Sequence, residues 1–160
     1  MSWLTENTDL IGIVLAFVAI LLSLTTVQLA RRQQQMTAFL QIQEAMLSTD
    51  LQHGRRLVYR IGEGAVPPTG GTDELNAIAR ALAMFNVLGT YTRRGIIPRR
   101  WVLDFWHKRL RALRPGLTEV VAQRVQWSNG QAPWPDLLDL VERAENYTCS
   151  RRCCSPVAQP

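Results

Sequence analysis

The run Leu10–Ala30, LIGIVLAFVAILLSLTTVQLA, carries no charged side chain from end to end. As a helix rising ~1.5 Å per residue it is ~30 Å long, the thickness of a bilayer's hydrocarbon core. Lipid offers no partner to a bare amide or carbonyl, so a stretch this apolar satisfies its backbone there only by closing it internally as a helix. The rest of the chain is far more polar and is expected to fold as a separate body.

Three readings of the run compete. A cleaved signal peptide opens with basic residues and closes on a small-x-small site. Here the preceding residues bring Glu6 and Asp9 and no base, and the run closes on Val27-Gln28-Leu29-Ala30-Arg31. A buried helix of a soluble domain is normally shorter and keeps a polar face. Ser23, Thr25, Thr26 and Gln28 fall in the last two turns, where such side chains lie near a headgroup region. A single transmembrane anchor over residues 10–30 is the resulting expectation. Its direction follows from charge, because cationic flanks stay in the cytoplasm. Arg31 and Arg32 follow the run directly, so residues 1–9 form a short outer tail with Trp3 at the interface, and the C-terminal part stays inside.

The chain carries a formal +5; with two acids and no base in residues 1–30, the remainder carries +7. Solubility and topology beside an anionic inner leaflet account for such a balance without any special partner. Among eighteen bases only Lys108 is a lysine, a bias that a GC-rich genome also produces. About 130 residues beyond the anchor suffice for one small domain with a modest core. Cys149, Cys153 and Cys154 crowd the C-terminal end, odd in number and in a compartment expected to be reducing, which argues against a structural disulfide. Neighbouring Arg151 and Arg152 would make the thiols more acidic, while a zinc site would need a fourth ligand that is far away in sequence.

Beyond the anchor, Met36, Phe39, Leu40, Ile42, Met46 and Leu47 recur at helical spacing, with an interruption expected at Ser48-Thr49-Asp50. Ser48 or Thr49 would cap a second piece carrying Leu51, Leu57, Val58 and Ile61. The segment 62–71, rich in Gly and Pro, is the clearest loop. Thr72 or Asp73 would cap the next helix, which aligns Leu75, Ile78, Leu82, Phe85 and Leu88 and ends near Arg94, with Gly95 as a left-handed cap. A further helix over 98–113 sets Trp101, Val102, Leu103, Phe105, Trp106, Leu110 and Leu113 on one side, with Arg100, Asp104, His107, Lys108, Arg111 and Arg114 on the other. Pro115-Gly116 is expected to stop it, and Thr118-Glu119 to open a shorter helix through Val125. A last helix starts at Pro135 or Asp136, and residues 147–160 form a tail with little to bury. No strand-like alternation occurs. The expected class is all-α: one N-terminal transmembrane helix followed by a small antiparallel helical bundle over 31–146.

The order of an N-out anchor, an Arg-containing helix, a Gly/Pro loop and the text LNAIARALAMFNVLGTYTRRGIIPRRWVLDFWHKRLRALRP resembles bacterial domain-of-unknown-function families of short single-pass membrane proteins with a small helical cytoplasmic domain. The resemblance covers roughly residues 10–125. It implies a bacterial plasma (inner) membrane setting, and it brings no activity or site residues with it.

The sharpest candidate for chemistry is Arg93–Arg114, where eight bases face the single Asp104 and are interleaved with Trp101 and Trp106. Arg93, Arg94, Arg99, Arg100, Lys108, Arg111 and Arg114 form a candidate contact surface for anionic lipid, or a plain solvated helix face. Two helices meeting at Gly95 superficially resemble a helix-turn-helix, so a membrane-tethered binder of nucleic acid or another polyanion is the alternative. Its aromatic residues lie on the core side, which weighs against nucleic acid. His53 and His107 are the only histidines, neither has metal-ligand spacing, and His107 is expected in solvent. Asp136, Asp139 and Glu142 are spaced as surface or capping residues, so no catalytic, cofactor, metal or small-molecule site is expected. Gly12 and Ala16 make a small-xxx-small pair through which two anchors could associate as a homodimer. These readings converge on an anchored interaction or scaffolding module rather than an enzyme.

Overall fold

The computed structural model describes residues 2–69, 71–125 and 132–148, with side chains from Val14 onward. Every regular element among them is a helix: α1 Ser2–Met46, α2 Thr49–Gly62, α3 Asp73–Arg93, α4 Arg99–Val125 and α5 Pro135–Glu145. The chain divides into two compact units, one ending at Thr37 and the other beginning at Ala38.

In the first unit, the side chains of Val14 through Leu29 are exposed, among them Leu15, Phe17, Ile20, Leu22, Leu24 and Val27. By length and composition this helix is the one among the described residues that can cross a membrane. Its hydroxyls do not spoil the apolar surface. Thr25 Oγ1 donates to the Leu22 carbonyl at 2.9 Å and Thr26 Oγ1 donates to the same oxygen at 2.7 Å, so neither needs an outside partner. Arg31 and Arg32 follow the run and are exposed.

The second unit is closed by α2–α5 together with Ile42 and Met46 from the end of α1. α2 packs on α3 and α4, and α5 packs on the same two helices, while α3 and α4 touch only lightly. The four therefore form a ring in the order α2, α3, α5, α4. Leu82, Leu88, Ile78, Trp106, Leu110, Leu113, Leu137 and Leu140 fill its centre. Three of the ring's contacts are made through helical glycines: a Cβ on Gly54 would lie 2.1 Å from the Ala77 oxygen, one on Gly116 1.9 Å from the Val58 oxygen, and one on Gly89 2.3 Å from the Asp136 oxygen. Backbones approach this closely only where there is no side chain to hold them apart.

Local signals explain most boundaries. Ser48 stands at the N-cap of α2, although its side chain makes no capping bond. Thr72 caps α3, its hydroxyl accepting from Leu75 N at 3.3 Å, and Gly95 takes φ +69° just past the C-cap. Some expectations fail. α4 does not stop at Pro115-Gly116 but continues unbroken to Val125, so Thr118 lies mid-helix, bonded back to the Arg114 carbonyl at 3.0 Å. An interior proline costs a helix one hydrogen bond, about 3 kcal/mol or more, and burial of Leu113, Gly116, Leu117 and Val120 offsets it. His107 is buried rather than solvated, its Nδ1 2.8 Å from the Leu103 carbonyl and its ring 5.5 Å from that of Tyr147. The chain after α5 covers the helix side that α4's own pattern leaves polar.

Candidate interaction surface

The bases expected to act together do not share one environment. Arg93 reaches Asp136 at 3.1 Å, and the Asp136 carboxylate, buried at the first turn of α5, also accepts from Thr90 Oγ1 at 2.5 Å. Arg100 pairs with Asp104 at 3.6 Å, and Arg114 with Glu145. Arg111 closes the C-terminus of α5: its Nε donates to the Ala144 carbonyl at 2.7 Å, and its Nη2 to those of Glu145 and Tyr147 at 2.9 and 2.6 Å. Charge at a helix C-terminus is favourable for a cation, so Arg111 is a structural cap. Arg94, Arg99 and Lys108 are exposed. Arg99 lines a groove of about 400 Å³ with the Asp139–Arg143 pair. There the Arg143 hydrogen bond holds the Asp139 carboxyl below the usual range.

A different set of side chains gathers on α2 and α4. The Trp106 ring, buried in the core edge-on to Phe85 at 5.7 Å, is covered by two guanidiniums, Arg109 at 4.9 Å and Arg55 at 5.9 Å from its centroid. Arg109 also lies 5.9 Å from the Phe105 ring. Phe105 in turn meets Trp106 at 5.4 Å and Phe39 at 6.3 Å, and Phe39 meets Trp101 at 6.3 Å. Phe105, expected in the core, is 55% exposed, while Phe39 and Trp101 are half-buried. Burial pushes the half-buried Arg55 guanidinium below its ordinary pKa, with the neighbouring Arg109 and Arg56 charges acting in the same direction. Burial likewise pushes the Tyr59 phenol up, opposed by Arg55 and Arg109. Among the described residues neither Arg55 nor Arg109 has an ion-pair partner, whereas five other arginines do. On α2 the sequence pattern puts Arg55 outward with Arg56 and Arg60, whereas the structure half-buries it over Trp106; Arg55–Tyr59 and Phe105–Arg109 are both i,i+4 pairs on their helices.

The other candidates separate. Trp3 and Gly12 belong to α1, but their side chains lie outside the described residues, as do Trp127 and the three cysteines. Ala16 is exposed on α1. Among the described residues no group of three or more His, Cys, Asp or Glu is placed to hold a metal ion. A groove of about 630 Å³ between the α2–α3 loop and α4 holds Arg114 and Glu119 beside Gly62, Val66 and Pro115, without a cluster of acid–base groups. Compared with family models, with curated proteins and with solved structures, the chain finds no match.

Proposed function

We propose that this chain is a single-pass membrane-anchored interaction or scaffolding module of a bacterial inner membrane, its N-terminus outside and its helical unit cytoplasmic. One observation carries the reading. Val14–Leu29 presents an uncharged, predominantly apolar surface that nothing in its own unit covers, with its threonine hydroxyls satisfied internally. Leaving such a surface in water costs about 25 cal/mol per Å², far more than a single helix recovers by any other means. The acids before the span and Arg31-Arg32 after it support the stated orientation. The connections 63–72, between α2 and α3, and 126–134, between α4 and α5, join helices that pack on one another, as an antiparallel bundle requires. The alternative of a nucleic-acid binder draws less support, because Arg93, Arg100, Arg111 and Arg114 already have partners within the unit.

The test is alkaline carbonate extraction of membranes from cells making the full-length chain, followed by protease protection of tags at either end. The chain should remain in the pellet, with only the N-terminal tag accessible from the periplasm. Recovery in the soluble fraction overturns the reading.

A further inference from the structure

We infer that the surface formed by Arg55, Tyr59, Phe105 and Arg109, edged by Phe39 and Trp101, docks on phosphate-bearing anionic lipid headgroups of the membrane that holds the chain. This rests on the reading of α1 as an anchor and adds a second, separate contact with the bilayer.

Charge is the first argument. The described acids that form ion pairs, Asp50, Asp104, Asp136, Asp139 and Glu145, all serve other arginines. Arg55 and Arg109 instead sit close enough to repel one another, and the charged groups acting on Arg55 are Tyr59, Arg109 and Arg56, with no carboxylate among them. Both guanidiniums lie over the Trp106 ring, Arg109 at 4.9 Å and Arg55 at 5.9 Å from its centroid, and an arginine fork can give paired N–H bonds to two oxygens of a tetrahedral phosphate.

Shape and reach are the second. Next to these bases stand an exposed Phe105 and the half-buried rings of Phe39 and Trp101. Aromatic rings beside arginine are the composition of the headgroup boundary, where the ring enters the acyl edge and the base stays with phosphate. Phe39 follows Ala30 by nine residues, a length of chain that spans at most ~32 Å and so lets the surface reach the bilayer. A second copy of this chain would bring the same uncompensated positive charge and be repelled.

The experiment uses the full-length chain in lipid nanodiscs, with Phe105→p-benzoylphenylalanine as a photo-crosslinker. Discs of phosphatidylcholine alone are compared with discs containing one-third phosphatidylglycerol. Two bases worth about fivefold each predict a roughly 25-fold stronger docking on the anionic discs at low salt, weakening as salt is raised. Crosslinks to lipid should rise accordingly, and R55Q/R109Q should remove the rise. If that double variant unfolds, R109Q alone, at an exposed position, should remove about fivefold of it. A crosslinker at Val87, on α3, should show no dependence on lipid charge.

Equal lipid crosslinking in the two kinds of disc, with the chain firmly inserted, overturns the docking surface and leaves the anchor intact. Crosslinks to a second copy overturn it too. So does inorganic phosphate, if at constant ionic strength it abolishes lipid crosslinking and thereby assigns the arginines to a soluble anion. A chain that washes off the discs at alkaline pH overturns the anchor itself, a different outcome from any of these.

Discussion

Replacing Gly116 by alanine is the sharpest test of how the ring of helices is closed. In an exposed helix that change stabilises by ~1 kcal/mol, because alanine loses less backbone entropy. Here the new Cβ would stand 1.9 Å from the Val58 carbonyl oxygen, 2.9 Å from its carbon and 3.0 Å from Val58 Cγ1. The obstacle is backbone, so no rotamer change relieves it, and α2 and α4 must part by about 1 Å or more to reach van der Waals contact. A gap of that size forfeits a quarter to a half of each dispersion contact across the seam, on whose two sides Val58 and Ile61 of α2 and Leu113, Leu117 and Val120 of α4 are buried in one cluster. Placing the overpacking cost at ~3–4 kcal/mol and subtracting the helix gain leaves a net loss of ~2–3 kcal/mol. In urea, with a slope of 1–3 kcal/mol per molar, the midpoint should fall by roughly 0.7–3 M. Tryptophan fluorescence of the full chain in detergent micelles reports this transition, because Trp106 lies at the core. A midpoint equal to or above that of the parent would refute the close approach and the seam drawn from it.

Other substitutions address the ends of α5 and the aromatic surface. Asn86 Oδ1 accepts from both Asp136 N and Leu137 N, at 3.0 and 3.1 Å, so Asn86→Ala should cost ~1–2 kcal/mol in the same urea assay. Arg111→Gln should cost ~1–3 kcal/mol and speed hydrogen exchange of the α5 amides, because three carbonyls at its C-terminus lose a charged donor. Burial raises the Tyr59 pKa above its unfolded value, so the stability it confers is complete below pH ~10 and is lost as pH rises through the folded value. Tyr59→Phe should therefore flatten the fall in stability above pH ~10 and remove one phenolate step from the absorbance titration at 295 nm.

Local chemistry was readable where a residue's role depends on its immediate neighbours. The apolar run, the Thr72 cap, the left-handed Gly95 and Pro135 at the start of α5 all belong to this kind. What the sequence hid depends on residues distant along the chain. Pro115 and Gly116 carry the local signature of a helix stop, and only the packing of α2 on that very glycine keeps α4 going. His107 follows the polar side of its helix, yet Tyr147 comes to lie against it. Phe105 follows the apolar side, yet it stays more than half exposed although Phe39 of α1 lies edge-on to it. Likewise the run of bases from Arg93 to Arg114 looks uniform, but acids and carbonyls from α5 divide it into caps, ion pairs and free charges. The aromatic surface needed two helices to be seen together, since Arg55 and Arg109 lie on different ones.

The two ends of α5 have a bearing on how the chain is made. Eleven residues are too few for a helix to persist alone in water, where ~12–15 is already marginal. This one borrows its first turn's acceptor from α3 through Asn86 and its last turn's donor from α4 through Arg111. Coiling and docking of α5 are thus a single cooperative event. On a ribosome that event must wait until α2–α4 have been made, so a nascent chain cut short before Leu137 would keep an unlatched hydrophobic face, the kind of mark by which quality-control proteases select their targets.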